Sequence, residues 1–457
     1  MHNMLKFIYH FFLVPAVVCA FSCRAAAQYS PAPDSIFKVN AEGQVTARSY
    51  FRYDGDQRQT GVAHFMWNKK TNEWAGTFKE DVTYDADGNQ VGRQTFYWDA
   101  DQDNWVLAEK ETASYDKGGR QTSNEVNRWN KGRNAWIGER KREDAFDASG
   151  KRTNSVVYRW DDDGAKWLPY EATETQFYDD LPQRPKRCDI KKLWKSGEWV
   201  NVEKREYDYD TQSRALAAST LFSWSDGQWV PQVKMRYSKT ASDNGGSVVV
   251  TRSLTYDSQA AHWVNSEKIS TQLDAKGSEI AITREKWAGI IWNIVQQERI
   301  DIKYDQYGNR THEGRFLLTG VNKWVGRSLS DKTYNEYGDV LSEIRLEWDT
   351  HNQVWKGVVN TRAEYSDMGD VIAEQRQKWD RKSQSWQPQS KSSFQYDEDH
   401  NKIYESTSSW NVVKNAYEEF FKGKTSYKLN RKGYISEVIE HIWQDGKWKL
   451  RQITKYY

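Results

Sequence analysis

The chain has 457 residues with Trp 23, Tyr 26, Phe 16 and only 37% hydrophobic residues, against roughly 45 to 50% for an average globular domain. With 28% charged residues and few aliphatics, it cannot fill several thick cores, which excludes a string of ordinary enzyme domains.

Residues 1–27 carry Lys6, the apolar run FIYHFFLVPAVVCAF and the small residues Ala25, Ala26 and Ala27. This pattern predicts a secretory signal peptide ending near Ala27, so the chain is expected to be exported: extracellular, at the cell surface or periplasmic. Cys19 and Cys23 raise lipid anchoring as an alternative, on a loosely fitting signal. No later stretch has the ~18 apolar residues of a spanning helix, so the mature chain is expected to have no transmembrane span. Removing Lys6 and Arg24 leaves 64 basic against 64 acidic residues. A neutral chain argues against nucleic acid as a partner, because that binding rests on an excess of Lys and Arg. Cys188 is the one cysteine left, so no intrachain disulfide is expected.

From residue 28 to 457 an internal repeat dominates. Turn-leading residues Tyr53, Tyr84, Tyr115, Phe146, Tyr178, Tyr209, Tyr237, Leu273, Tyr304, Tyr334, Tyr365, Tyr396 and Tyr427 follow one another mostly at 30 to 32 residues. Several precede Asp-x-x-Gly, as in Asp85-Ala86-Asp87-Gly88 and Asp305-Gln306-Tyr307-Gly308. Asp caps local amides there and Gly accepts positive φ, which suits a tight reversal. Every Trp falls in one of two later positions of the unit, five or seven residues apart. WKSGEW, WSDGQW and WQDGKW place two indoles around a two-residue turn, which predicts hairpins with directly opposed, stacked Trp pairs. Tyr256 and Tyr417 stand in for two missing indoles, and the slot near Leu317 lacks an aromatic.

Ten residues separate the second Trp from the next turn-leading residue, as in Trp105 to Tyr115. A strand period of two then puts Trp and Tyr on the same face. Gly or Pro often follows the Trp by two positions, at Gly76, Gly138, Gly326 and Gly357 for example, where a neighbouring indole would cover the bare backbone. Mid-strand residues such as Glu109, Lys110 and Glu111 are polar on both faces, which excludes a two-layer sandwich. The fold class expected is all-β: a long antiparallel meander of about thirteen two-stranded repeats of ~31 residues, coiled or rolled as a single-sheet array, with a β-propeller as the alternative. Regularity slackens at LPQRPKRC (181–188), at TASDNGG and at 311–322; the second marks a bend or subdomain break near 240–250.

The turns YDADGN, YDKGGR and YDQYGN resemble the YD repeats of RHS-type bacterial secreted and toxin-associated proteins, and most of all the YD-repeat proteins of unassigned function exported by Bacteroidota. The resemblance covers residues 53–433 and implies strands that coil into a shell or an elongated scaffold. Trp and Tyr on short Gly-containing hairpins are also similar to choline- and glucan-binding cell-wall repeats, which motivates a carbohydrate ligand.

No HExxH, GxSxG or phosphate-binding Gly loop is present, and His64, His262, His312, His351, His400 and His441 sit at different phases of the repeat. Asp99-x-Asp101-x-Asp103-Asn104 has the alternating oxygens of a calcium loop, but Lys110 stands where such a loop needs its bidentate Glu. No cofactor, metal or catalytic residue is therefore expected. The candidate ligand-binding residues are the aromatic rows Trp98, Trp105, Trp129, Trp136, Trp348, Trp355, Trp379 and Trp386, as a stacking surface for sugar rings or a partner protein. Structural glue is the competing role, favoured because all units keep the same two positions. The function expected is a non-enzymatic exported scaffold binding a polysaccharide or a surface protein. The alternatives are a toxin-associated RHS-like shell element and a secreted carbohydrate-active enzyme.

Overall fold

The structure, a computed structural model, describes residues 32–179, 181, 183 and 185–457; the predicted signal peptide and Cys19 and Cys23 lie outside the described residues. Twenty-eight antiparallel strands, numbered β1 to β28 in chain order, form one sheet, and no helix occurs among the described residues. Accordingly, no described helix is long and apolar enough to cross a membrane.

The sheet is neither an open array nor a propeller. β1 (Ser35–Asn40) pairs on one side with β2 (Val45–Tyr53) and on the other with β28 (Lys447–Tyr456), with Ile36 opposite Tyr456 and Asn40 opposite Gln452. This last pairing closes a single β-barrel. The repeat accounts for the thirteen Tyr-type turns, but the closing contact is not part of it. β1 precedes the first Tyr turn, and β28 is the second strand of the last Trp hairpin, with no Tyr turn after it. Twist accumulated over the meander carries the two edges together, and pairing them removes two rows of unsatisfied backbone groups. At about 4.8 Å per strand the wall measures roughly 130 Å around and, if round, about 40 Å across. Extended contacts between strands are confined to sheet neighbours and next neighbours.

Local structure follows the unit. In β3 (Gln59–Asn68) and β4 (Glu73–Tyr84) Trp67 lies opposite Trp74, and β4 then reaches the turn to β5 (Gln90–Asp99). There the Asp85 carboxylate accepts the amides of Asp87 at 3.0 Å and Asn89 at 2.8 Å, while Gly88 takes φ 87°. The same Asx turn recurs at Asp116, Asp274 and Asp305.

The expectation that Trp and Tyr share a face is corrected. Three residues after each second aromatic the register slips by one: Thr77 is skipped between Gly76 opposite Phe65 and Phe78 opposite His64, and Ala108 likewise in β6 (Asn104–Tyr115). This β-bulge reverses the alternation, so Trp74 and Tyr84 occupy opposite faces of the wall. The two sides are termed here the indole face and the tyrosine face.

Both faces carry charge at mid-strand. On the indole face Lys141 lies 3.6 Å from Glu125 and 3.1 Å from Glu143, and on the tyrosine face Arg93 lies 2.5 Å from Glu80 and 3.8 Å from Glu109. Buried apolar residues such as Val62, Val82, Val126 and Ile300 are few. A lipid-spanning barrel needs one continuous apolar face, and neither face provides it. Cross-strand polar ladders and aromatic tiles take the place of a thick core.

Candidate functional site

The eight predicted indoles are paired as expected but do not form one site. Rings face each other edge-on, with centroids 5.1 Å apart for Trp98 and Trp105, 5.2 Å for Trp129 and Trp136, 5.3 Å for Trp348 and Trp355, and 5.2 Å for Trp379 and Trp386. The pairs are T-shaped rather than stacked, the arrangement the ring quadrupole favours. Two pairs sit together on β5 to β8 (Ala135–Phe146) and two on β21 (Val340–Asp349) to β24 (Ser385–Tyr396), separated by twelve strands one way round the ring and eight the other. All eight are half-buried. Each pair of the repeat leans back over the preceding unit. A Cβ placed on Gly76 would meet Trp105 Cη2 at 2.5 Å and Trp98 Cε3 at 2.6 Å, and one on Gly357 would meet Trp386 Cη2 at 2.6 Å. The indoles thus cover strand glycines as anticipated, and much of each ring is spent on that packing.

The other sequence candidates are occupied in structural roles. Asp99 accepts the amides of Asp101 and Gln102 and pairs with Lys131 Nζ at 2.6 Å, and no group of three His, Cys, Asp or Glu suited to a metal occurs among the described residues. His64 bonds Ser49 at 2.6 Å and lies against Phe78, and burial pushes its pKa down. Cys188 is buried, which pushes its thiol up and away from nucleophilic use.

A cleft that the repeat pattern did not single out lies on the tyrosine face across β9 (Arg152–Asp161), β10 (Lys166–Phe177), β11 (Lys186–Lys195) and β12 (Glu198–Tyr209). Its volume is about 290 Å³. Asp189 is its hub: the carboxylate accepts the Thr175 hydroxyl at 2.6 Å and the Tyr207 phenol at 2.9 Å, with Lys186 Nζ at 3.2 Å. Burial alone would raise the Asp189 pKa, but these donors outweigh it and hold the carboxyl below its ordinary value. The Tyr207 phenol is pushed up to about 12 by burial and by its bond to Asp189. Lys191 pairs with Glu171 at 2.7 Å, and Arg152 lies 3.7 Å from the buried Asp144. Arg205 also lines the cleft and has no hydrogen-bond or ion-pair partner among the described residues. Ser155, Thr173 and Glu203 complete the lining.

The cleft stands where the repeat breaks. The β10–β11 connection runs from Tyr178 to Pro185 instead of the five-residue Asx turn, and the β12–β13 turn closes from Asp210 to Ala215. A second cavity of about 430 Å³ lies at this edge, between Lys151, Pro185, Tyr209 and Arg214. The signal in the sequence was the irregular LPQRPKRC stretch, which read only as a slackening of the repeat. Chemically, the cleft offers an unpaired guanidinium, hydroxyls and a phenol ring around a carboxylate already saturated with donors. Such a carboxylate stays ionised, the reverse of what a general acid requires.

No family model matches the chain, and no curated protein matches it. Solved structures with some likeness include a protein of unknown function from Bacteroides fragilis NCTC 9343, at 14% identity over 27% of this chain and 91% of that one, with a TM-score of 0.23. TcdB2-TccC3 is similar at 12% identity over 91% of this chain and 27% of that one, with a TM-score of 0.21. A porin-like protein from Bacteroides uniformis ATCC 8492 is similar at 9% identity over 63% and 95%, with a TM-score of 0.16. Likenesses this faint carry no argument about function.

Proposed function

We propose that this protein is an exported, non-enzymatic scaffold, a closed β-ring whose wall binds an acidic glycan in the cleft across β9 to β12. The observation that carries the reading is Arg205, an unpaired guanidinium beside the Ser155 and Thr173 hydroxyls and the Tyr207 ring. A guanidinium recognises a carboxylate or sulfate through paired N–H donors, hydroxyls serve the sugar oxygens, and a phenol ring supports an apolar sugar face. The indole rows remain as packing. Calorimetric titration of the purified protein with polygalacturonate or sulfated oligosaccharides, against neutral dextran, tests this. Acidic saccharides should bind, and Arg205→Ala should weaken them by about tenfold or more at unchanged melting temperature, since a charge-assisted bond contributes ~1.5 to 3 kcal/mol. Binding of dextran equal to that of the acidic sugars, or no binding at all, overturns the reading. A large tryptophan emission shift on binding would point back to the indole rows, because no Trp lines the cleft.

A second reading, a shell element of the YD-repeat kind that encloses a guest, is favoured by the β1–β28 closure. Its test is co-purification of an enclosed polypeptide that resists added protease only while the ring is intact.

A further inference from the structure

The hairpins that join β1 to β2, β3 to β4 and so on to β28 all lie at one end of the ring, and their tips differ around the circumference. Most are polar and built from Asp, Asn, Lys, Ser and Gly. The tip between β17 (Glu279–Trp287) and β18 (Trp292–Tyr304) instead presents Ile290 and Ile291, and the next, between β19 (Arg310–Gly320) and β20 (Lys323–Tyr334), presents Val321. Between β25 (Lys402–Asn411) and β26 (Ala416–Leu429) stand Val412 and Val413. Exposure reaches 86% at Ile290, 97% at Val321 and 95% at Val413. These side chains extend past the rim and gain nothing from the fold.

The same sector also carries cations. The five consecutive hairpins at 288–291, 320–323, 350–353, 381–384 and 412–415 carry Lys323, Arg381, Lys382 and Lys414, the last paired with Glu418 at 2.5 Å, while Asp349 and Asp380 close the strand ends beneath them. Elsewhere on the rim the tips 100–103 and 162–165 carry Asp101, Asp103, Asp162 and Asp163, and of the basic tips 69–72 and 131–134 the second has Lys131 and Arg133 paired with Asp99 and Asp162. A sector of ten strands spans about 40 Å of rim, with apolar side chains at three points and cations between them.

We infer that this sector of the rim docks on an anionic phospholipid surface. Apolar tips enter the boundary between headgroups and acyl chains while neighbouring Lys and Arg meet the lipid phosphates, the pairing of forces that holds interfacial proteins without a spanning segment. A second copy could offer its acidic tips to these cations, but those tips hold no apolar surface on which to bury Ile290, Val321 and Val413. The inference is independent of the glycan cleft, which lies on other strands.

Flotation of the purified protein with phosphatidylcholine vesicles, with and without phosphatidylglycerol, tests it. The protein should float with phosphatidylglycerol-containing vesicles and be released by salt. Partition should fall about tenfold in a variant with Ile290→Ser, Ile291→Ser, Val321→Ser, Val412→Ser and Val413→Ser, and again in one with Lys323→Gln, Arg381→Gln, Lys382→Gln and Lys414→Gln. All nine side chains are exposed, so both variants should keep the parent melting curve. Three results overturn it: no flotation with either vesicle, equal flotation without phosphatidylglycerol, or unchanged flotation of the serine variant. A concentration-dependent dimer that the serine variant abolishes, with no vesicle association, would assign the sector to a second copy and equally overturn it.

Discussion

Strands β21 to β24 and strands β17 to β20 come from the same repeat and differ in one tile. In the first region, the Trp348–Trp355 and Trp379–Trp386 pairs lie over glycines, Gly326 under Trp355 and Gly357 under both Trp379 and Trp386. In the second, the pair is Leu318 opposite Trp324, and the position two after Trp292, often Gly or Pro in other units, is Ile294. Trp324 is left 37% exposed, with Arg299 above it at 5.3 Å. Leu318 stands where the first indole would be, so the T-shaped pair is missing, and Ile294, itself 57% exposed, adds apolar surface beside the Ile290 and Val321 tips. A bare floor is not obligatory, since Trp129 and Trp136 keep their pair after Leu107 and Trp287 and Trp292 keep theirs after Asn265; a missing indole is what leaves surface available for another task.

Several substitutions would break or sharpen this comparison. Trp386→Ala removes half a pair and uncovers Gly357; it should cost about 3 kcal/mol in urea unfolding, against about 1 kcal/mol or less for Trp324→Ala. Equal losses at the two sites would show that the seat contributes nothing. Gly357→Val places a branched side chain where Cβ alone comes within 2.6 Å of Trp386 Cη2 and 2.7 Å of Trp379 Cε3. It should destabilise by about 2 kcal/mol through overpacking, whereas Ile294→Gly should stay near neutral and lower the exposure of Trp324 to acrylamide quenching. Tyr84→Phe removes the phenol that donates to the Gln59 carbonyl at 3.1 Å, for an expected loss of about 1 kcal/mol. Phe146 and, one residue before the Tyr178 expected from the sequence, Phe177 already occupy the equivalent place without that bond, under Arg120 and Lys151. Arg58 above the ring is kept in Tyr84→Phe, so an unchanged stability would show that the cation, and not the phenol bond, holds the ring.

The smallest effect concerns acid. Asp85 is held below its ordinary pKa by the Asn89 side chain, against the upward push of burial and with further help from backbone amides; Asp116 is held low first by the Arg120 amide. A carboxyl depressed in the folded state stabilises above its unfolded value of about 3.9 and loses that contribution as pH falls toward the folded value. Melting temperature should therefore drop below about pH 4, and Asp85→Asn should make the drop slightly shallower. Asn335 and Asn430 already serve in equivalent turns, so the substitution should keep the cap.

Much of the wall was legible before any coordinates. WSDGQW is enough to oppose Trp224 and Trp229, and the structure sets their centroids 4.9 Å apart; Tyr256 and Tyr417 serve as the indole substitutes at 5.2 and 4.9 Å from Trp263 and Trp410. The facing of Tyr115 relative to Trp105 was misread because counting by twos assumes an unbroken ladder. The glycines and prolines two residues past the Trp marked the bulge and were read only as a floor for indoles. The cleft stayed hidden for another reason. Asp189, Arg205 and Thr175 are unremarkable mid-strand residues, and they become a site only where four strands bring them together beside a turn that departs from the pattern.

The sequence by itself determined the strands, their hairpin partners and the aromatic pairing, because each depends on a turn and on side chains a few residues apart. Only the tertiary structure decided that the sheet closes. The pairing of Ile36 with Tyr456 joins the two ends of the described chain and has no motif of its own. It results from small twists and bulges summed over twenty-eight strands, a total that no single residue encodes, and from the cost of leaving two edges unpaired.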